Sequence, residues 1–283
     1  TAFLEAGHED REVLRANLER WRWLPRDLGS RYLLVRIADF EVDLITDGRR
    51  ETFRAIVGEP YRQTPQFAAE ATHLVVHPSW HVPARIADEE LAPRLTRDPE
   101  YLVRAGFEVY RHSGERVEPA QVQSASPFSS RFRLGQRPGP SNPLGRLKLH
   151  MPNPFAVFLH DTPNGALFEQ HDRALSHGCV RVDGMQRLAA RLLSPASRDR
   201  LERELAEGGH VWIRLEQPVP VYLIYWTASV TTAGDVQLAT DPYAIDDAVV
   251  RALDKAVGAR PWVEAIRAID SPIRAPDSPI RAP

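Results

Sequence analysis

The chain has 283 residues, 43% of them hydrophobic, with 36 Lys+Arg against 38 Asp+Glu and a formal net charge of −2. That length and composition support one large domain, or one domain carrying a smaller lobe. They exclude a disordered chain and a partner such as nucleic acid recruited by overall charge. Cys179 is the only cysteine, so an intramolecular disulfide framework and any site built on paired cysteine ligands are excluded as well.

The basic side chains are almost all arginine, Lys148 and Lys255 being the only lysines. No apolar stretch reaches about 18 residues, the length a transmembrane helix needs. The chain opens at Thr1 with neither Met nor a basic-then-apolar leader, which reads as a processed or shortened protein whose targeting segment or upstream domain is not included.

In chain order, DREVLRANLERWRWLP predicts a helix, with Leu14, Leu18 and Trp21 at helical spacing as its core stripe and Pro25 as its stop. From Arg31 the period changes. RYLLVRIADFEVDLI and ETFRAIVG predict short strands around the Asp47-Gly48 turn, and ATHLVVHPSW (71–80) predicts another, stopped by Pro78.

Residues 81–130 change character: IADEELAPRL and DPEYLVRAG predict short helices, followed by a strand, a turn at Ser113-Gly114 and loop composition in QSASPFSS. A lobe inserted into a sheet domain is the expected reading, with Trp80 at its entrance a candidate groove residue. Strands and Pro/Gly turns alternate over 131–164. Helices follow from Met185 to about Leu193 and from Ser197 to Ala206, with Pro195 between them.

VWIRL and PVPVYLIYW predict returning strands, with Val221, Leu223 and Tyr225 on one face and Tyr222, Ile224 and Trp226 on the other. A last helix is predicted over 242–257. DSPIRAP at 270–276 recurs letter for letter at 277–283, and its prolines mark a tail rather than core structure.

Reactive side chains concentrate at 158–181, which holds His160, Asp161, His171, Asp172, Ser176, His177, Cys179 and Arg181. A structural cysteine ordinarily sits in an apolar run, whereas Cys179 follows His-Gly and precedes Val-Arg. Gly178 permits a tight turn that exposes the thiol and turns backbone N–H groups toward a substrate oxygen. An imidazole nearby would raise the thiolate fraction for attack on an amide carbonyl and then shuttle protons to and from the amines.

His177 is nearest in sequence, but His160 at the end of the AVFL strand and His171 are also within reach, and residue chemistry alone does not choose among them. A zinc site from His160, His171, His177 and Cys179 has acceptable ligand types but matches no close-spaced zinc signature. Asp161 and Asp172 read as turn or cap residues. His73, His77 and His81 recur every four positions, but on a strand they would not stack as a metal comb.

LHDTP…SHGCVRV resembles the catalytic signature of the L,D-transpeptidases, the YkuD-type cysteine enzymes of peptidoglycan. NLERWRWLP, TPQF (64–67), VHPSWHVPARI (76–86), PGPSNPLGRLKLHMPNPFAVFLHDTP (138–163) and PVPVYLIYWTA (218–228) extend the resemblance over roughly residues 10–255, toward the large YcbB-like branch. The resemblance implies a mainly β fold with flanking helices and an inserted capping subdomain. The expected organisation is a helical lead-in (1–30), a catalytic domain (31–260) interrupted by a cap (81–130), and a tail (261–283).

The same resemblance implies Cys179 as nucleophile, His160 rather than His177 as base, and His177 as a lining of the acyl pocket. It places the oxyanion hole at Gly178 and Cys179, makes Ser176 a loop hydrogen bonder, and gives Arg181 a structural or carboxylate-directed role. It further implies a stem tetrapeptide as donor, cleaved after the L-centre of diaminopimelate with loss of D-alanine, and a second diaminopimelate amine as acceptor, giving a 3→3 cross-link. L,D-carboxypeptidase action, D-amino-acid exchange, or a peptidoglycan-binding module without turnover are the alternatives. Neither cofactor nor metal is expected. Carbapenem acylation of the cysteine and a periplasmic location complete the expectation.

Overall fold

A computed structural model describes residues 8–98, 100–118, 122, 127–230 and 235–258. The duplicated DSPIRAP tail lies outside them. Two compact units are present. One is residues 24–226; the other joins the described residues up to Trp23 with those from Thr227 onward.

In the larger unit, strands β1 (Arg31–Arg36), β2 (Glu41–Thr46) and β3 (Arg49–Gly58) form an antiparallel meander. Asp47 and Gly48 both take positive φ, 50° and 77°, as the tight hairpin turn with the right twist demands. β4 (Phe67–Val76) leads into an inserted segment, after which come β9 (Leu147–His150), β10 (Leu159–His160), β11 (Ala174–Ser176), β12 (Val180–Val182) and β13 (Val211–Ile224). The sheet order is β11-β3-β12-β10-β9-β4-β13-β1-β2, and β2 pairs back onto β3, so eight of the nine strands close on themselves. Pairing is mixed: β1–β13, β10–β12 and β11–β3 are parallel.

The two expected returning strands are one strand, β13, with an irregularity in its ladder between Arg214 and Val219. Pro218 lies there and has no N–H to offer the ladder. Tyr222, Ile224 and Trp226 do share a face, packing with Leu34.

The inserted segment builds a second sheet, β5-β8-β6-β7, from β5 (Trp80–His81), β6 (Phe107–Arg111), β7 (Arg116–Val117) and β8 (Phe132–Gln136). Its helices run on from one another: α2 (Ala84–Ile86), a π-helical turn (Ala87–Leu91) and α3 (Ala92–Arg97), with α4 (Tyr101–Arg104) after them. Leu91, Leu95, Leu102, Phe107, Val109 and Phe128 are buried together, an apolar core separate from that of the main sheet. Asp88 clamps the return loop by accepting from the Ser129 N–H and hydroxyl at 2.7 and 2.6 Å.

Helices α5 (Met185–Leu192) and α6 (Pro195–Glu207) follow β12. Pro195 opens α6 rather than merely separating the pair, with Ser194 as its N-cap.

The smaller unit corrects one expectation. Helix α1 (His8–Trp21) does not bury the Leu14/Leu18/Trp21 stripe: Leu18 and Trp21 are 56% and 54% exposed. The buried residues are Ala16, Asn17 and Arg20. Polar partners decide the face. The Asn17 amide donates to Thr227 Oγ1 at 2.8 Å and accepts from the Thr227 N–H at 2.9 Å, and Arg20 pairs with Asp246 at the start of α7 (Asp246–Gly258). Turning the apolar stripe inward would strand that buried charge pair, which costs more than leaving a leucine wet.

Candidate active site

Strand register builds the site. Alternate side chains of a strand face opposite ways, and ladder partners share a face. Ile213, Leu74, Leu149, Leu159 and Val180 follow one another across β13, β4, β9, β10 and β12 and are all buried in the core. The next row, on the other face, runs Trp212, Val75, Lys148, His160, Arg181, Ile56. An apolar row thus anchors a neighbouring row that carries two cations on either side of an imidazole. Cys179 precedes β12 by one position, two residues before Arg181, and faces the same cavity as His160 and Arg181.

Cys179 sits at a turn held by hydroxyls. Gly178 has φ +109°, in the left-handed region that favours glycine. Ser176 Oγ donates to the Cys179 carbonyl at 2.5 Å and accepts from the Gly178 N–H at 3.1 Å. Thr64 Oγ1 donates to the Gly178 carbonyl and accepts from the Gly58 N–H, both at 2.9 Å. Gly58 lies so close to the Arg62–Thr64 backbone that an added Cβ would fall 2.1 Å from the Arg62 oxygen.

The Gly178 N–H is therefore engaged with Ser176, which removes it from the expected oxyanion pair. Among the described residues no acceptor takes the Cys179 N–H, the donor that the turn leaves available. Thr64→Val, by stripping both Gly58 and Gly178 of a buried partner, should lower unfolding stability by about 1–3 kcal/mol; an unchanged denaturant midpoint would show that the clasp is dispensable.

The thiol is half-buried, and burial raises its pKa from the ordinary value, against a lowering contribution from the Phe158 N–H and from Lys148 and Arg181. Ala156, held at φ 53°, offers its carbonyl to the sulfur at 3.8 Å. His160 is 4% exposed, and burial pulls its pKa down to about 3. Its Nδ1 lies 2.6 Å from the Asp161 carbonyl. A carbonyl only accepts, so Nδ1 carries the hydrogen and Nε2 the lone pair. Burial thus favours the uncharged form of both the thiol and the imidazole that share this cavity.

Positive charge comes instead from Lys148 and Arg181. Burial lowers the pKa of both, and each is favoured by a thiolate at Cys179. The Lys148 ammonium stands 4.7 Å from the centre of the Phe158 ring and 5.9 Å from that of Trp212. Arg181 Nε is buried with no hydrogen-bond partner among the described residues.

The cavity encloses about 560 Å³, within the range of ligand pockets. Its lining takes His160, Ser176, Cys179 and Arg181 from the main sheet and its loops, and Trp80, Glu90, Arg94 and Gln136 from the inserted segment. His177 lines it too, with Nε2 bonded to Glu90. The Arg62 guanidinium also reaches Glu90, at 2.6 Å, and Glu89, at 2.7 Å.

His171 is exposed and outside the cavity lining, which separates the four residues of the zinc alternative. Among the described residues no three His, Cys, Asp or Glu side chains form a metal-binding group. Asp161 accepts from the Arg146 N–H at 2.9 Å and Asp172 from the Ala174 N–H at 3.0 Å, both holding loops. His73 lies on β4 and His81 on β5, not on one helix.

The YkuD family, the L,D-transpeptidase catalytic domain, matches residues 30–221. The chain belongs to this family. A Haemophilus influenzae protein that bears a provisional L,D-transpeptidase name is 34% identical over 240 residues, 83% of this chain and 48% of the relative. The chain thus spans about half the length of that protein. Two solved structures are more distant. An L,D-transpeptidase from Mycobacterium smegmatis is 14% identical with TM-score 0.33, covering 69% of this chain and 58% of that one. The catalytic domain of the E. faecium L,D-transpeptidase, solved with ertapenem attached, is 11% identical with TM-score 0.27, covering 70% and 99%.

Lys148, Thr64, Glu90, Arg94 and Gln136 were not singled out from sequence as site residues. Lys148 left a trace as the one lysine of residues 24–226 in an otherwise arginine background, and Thr64 as the first residue of TPQF.

Proposed function

We propose that the chain is a cysteine-dependent L,D-transpeptidase catalytic module of the large, capped YcbB-like branch, acting on peptidoglycan stem tetrapeptides. The observation that carries this reading is the parallel β10–β12 pairing, which brings His160, with its Nε2 lone pair free, into one cavity with Cys179. Cys179 attacks the carbonyl of the diaminopimelate L-centre while its proton passes to His160 Nε2. The tetrahedral oxyanion takes the Cys179 N–H, and the protonated His160 hands its proton to the departing D-alanine amine as the C–N bond breaks.

A thioester remains on Cys179. The amine of a second diaminopimelate attacks it, gives a proton to His160 and releases the sulfur, which completes a 3→3 cross-link. Water in place of the amine makes the same module an L,D-carboxypeptidase, and a free D-amino acid gives exchange. The inserted segment acts as the cap. A carbapenem would acylate the same thiol. The compartment is the periplasm, where the substrate lies; among the described residues no helix is long and apolar enough to cross a membrane.

Lys148 and Arg181 steady the negative charge that develops on the Cys179 sulfur as its proton leaves. Lys148→Met should move the thiol pKa further upward, so that iodoacetamide alkylation needs a higher pH than in the parent protein. Superimposable rate–pH curves would remove Lys148 from this role. For the function itself, incubation with a diaminopimelate disaccharide-tetrapeptide should yield a cross-linked dimer lacking the donor D-alanine, or tripeptide if water wins. Unchanged tetrapeptide after prolonged incubation would refute the reading.

A further inference from the structure

The inserted segment gives the cavity a stretch of lining that the chemistry at Cys179 does not use. The rings of Trp80, Tyr101 and Phe107 line it, Phe107 lying 6.2 Å centre to centre from each of the other two. Arg94 faces it, held by a hydrogen bond from Nη1 to the Tyr101 hydroxyl at 3.2 Å and by its position 5.6 Å over the Tyr101 ring. No carboxylate among the described residues pairs with Arg94. Glu90, one helical turn earlier and in the same cavity, is already committed to Arg62 and His177. The wall therefore presents a guanidinium whose fork is open to a carboxylate.

Gln136 supplies the second feature. It is 2% exposed, and its Nε2 donates to the carbonyls of Ala105 and Ser141 at 2.9 and 3.1 Å. Two carbonyl acceptors fix the amide the same way round, so Oε1 is the atom that faces away from them. That oxygen is buried with no donor, in a residue that lines the cavity. A buried acceptor without a donor is costly to maintain; the oxygen has no exposed surface in this structure, so a ligand N–H satisfies it only as the wall around Gln136 shifts.

We infer that this stretch of the cavity is a subsite for the zwitterionic head of a diamino-dicarboxylic side chain, with Arg94 taking its carboxylate and Gln136 Oε1 its ammonium. The inference rests on the proposed function, because the L-centre carbonyl of the same residue would then lie at Cys179. The trimethylene spacer of diaminopimelate runs past the three aromatic rings, which cover it. A lysine side chain at the same stem position keeps the ammonium but has no carboxylate for Arg94. Arg94 is thus the discriminating residue between the two stem types.

The test compares acylation rates by intact-protein mass for two disaccharide-tetrapeptide donors, one with diaminopimelate and one with lysine at the third position. The parent protein should prefer diaminopimelate, and Arg94→Gln should reduce the ratio of the two rates by about 10- to 100-fold, the usual weight of a charge-assisted pair. Arg94→Lys should restore part of the ratio, which a general folding defect would not do. A ratio unchanged in Arg94→Gln, or both donors slowed equally, would overturn the subsite while leaving the proposed function standing. A parent protein acylated by neither donor would overturn both together.

Discussion

Cys179→Ser protein should turn over its tetrapeptide donor at least about 10,000-fold more slowly than the parent, with its fold intact. The residue is half-buried and small, and the turn around it is held by Ser176 and Thr64, neither of which bonds to the sulfur. Serine keeps that shape. What it lacks is an ionisable nucleophile, because a hydroxyl beside a neutral imidazole and two cations is far harder to deprotonate than a thiol. Chromatography of released D-alanine measures the effect. Residual turnover within tenfold of the parent would show that the sulfur does not carry the reaction.

His160→Gln should slow acylation by about 100- to 10,000-fold, the contribution of a positioned general base. Glutamine can keep a donor on the Asp161 carbonyl, so the loss reports the missing Nε2 lone pair. The same variant carries a pH signature. A histidine in the unfolded chain titrates near 6.5, and His160 in the folded protein near 3. Above the unfolded value both states hold it neutral and it adds no pH dependence. As pH falls below that value the unfolded chain takes up a proton that the folded site refuses, so stability drops by about 1.4 kcal/mol per unit until the folded value is reached. Urea midpoints between about pH 6 and 4 should therefore fall less steeply for His160→Gln than for the parent. Equal slopes would mean that the buried imidazole is protonated far more easily than its surroundings imply.

Much of this was legible from local sequence. Alternation from Arg31 gave strands, the Asp47-Gly48 pair gave the hairpin turn, and the helices read from Met185 to about Leu193 and from Ser197 to Ala206 fall within a residue or two of Met185–Leu192 and Pro195–Glu207. The chemistry of SHGCVR, unusual for a core segment, drew attention to residues 158–181, but it left His160, His171 and His177 open, and only the family resemblance put His160 first.

What escaped depends on long-range register. Nothing near Lys148 says that β9 will lie beside β10 with Lys148 opposite His160, and nothing near Glu90 says that His177, 87 positions on, will meet it. Arg94 and Gln136 look like any surface arginine and strand glutamine until the second sheet forms. The errors have the same origin. The α1 stripe lost to a pair formed with Asp246, 226 residues away, and the Gly178 N–H found Ser176 through a turn whose shape the letters do not state.

A thioester at Cys179 formed with loss of D-alanine is detected directly by intact-protein mass during reaction with a diaminopimelate disaccharide-tetrapeptide, followed by peptide mapping of the trapped species. An adduct equal to the donor minus D-alanine is expected, located on the peptide that contains Cys179 and absent from Cys179→Ser protein. Turnover with no such adduct on rapid quenching, or an adduct on another residue, would contradict it.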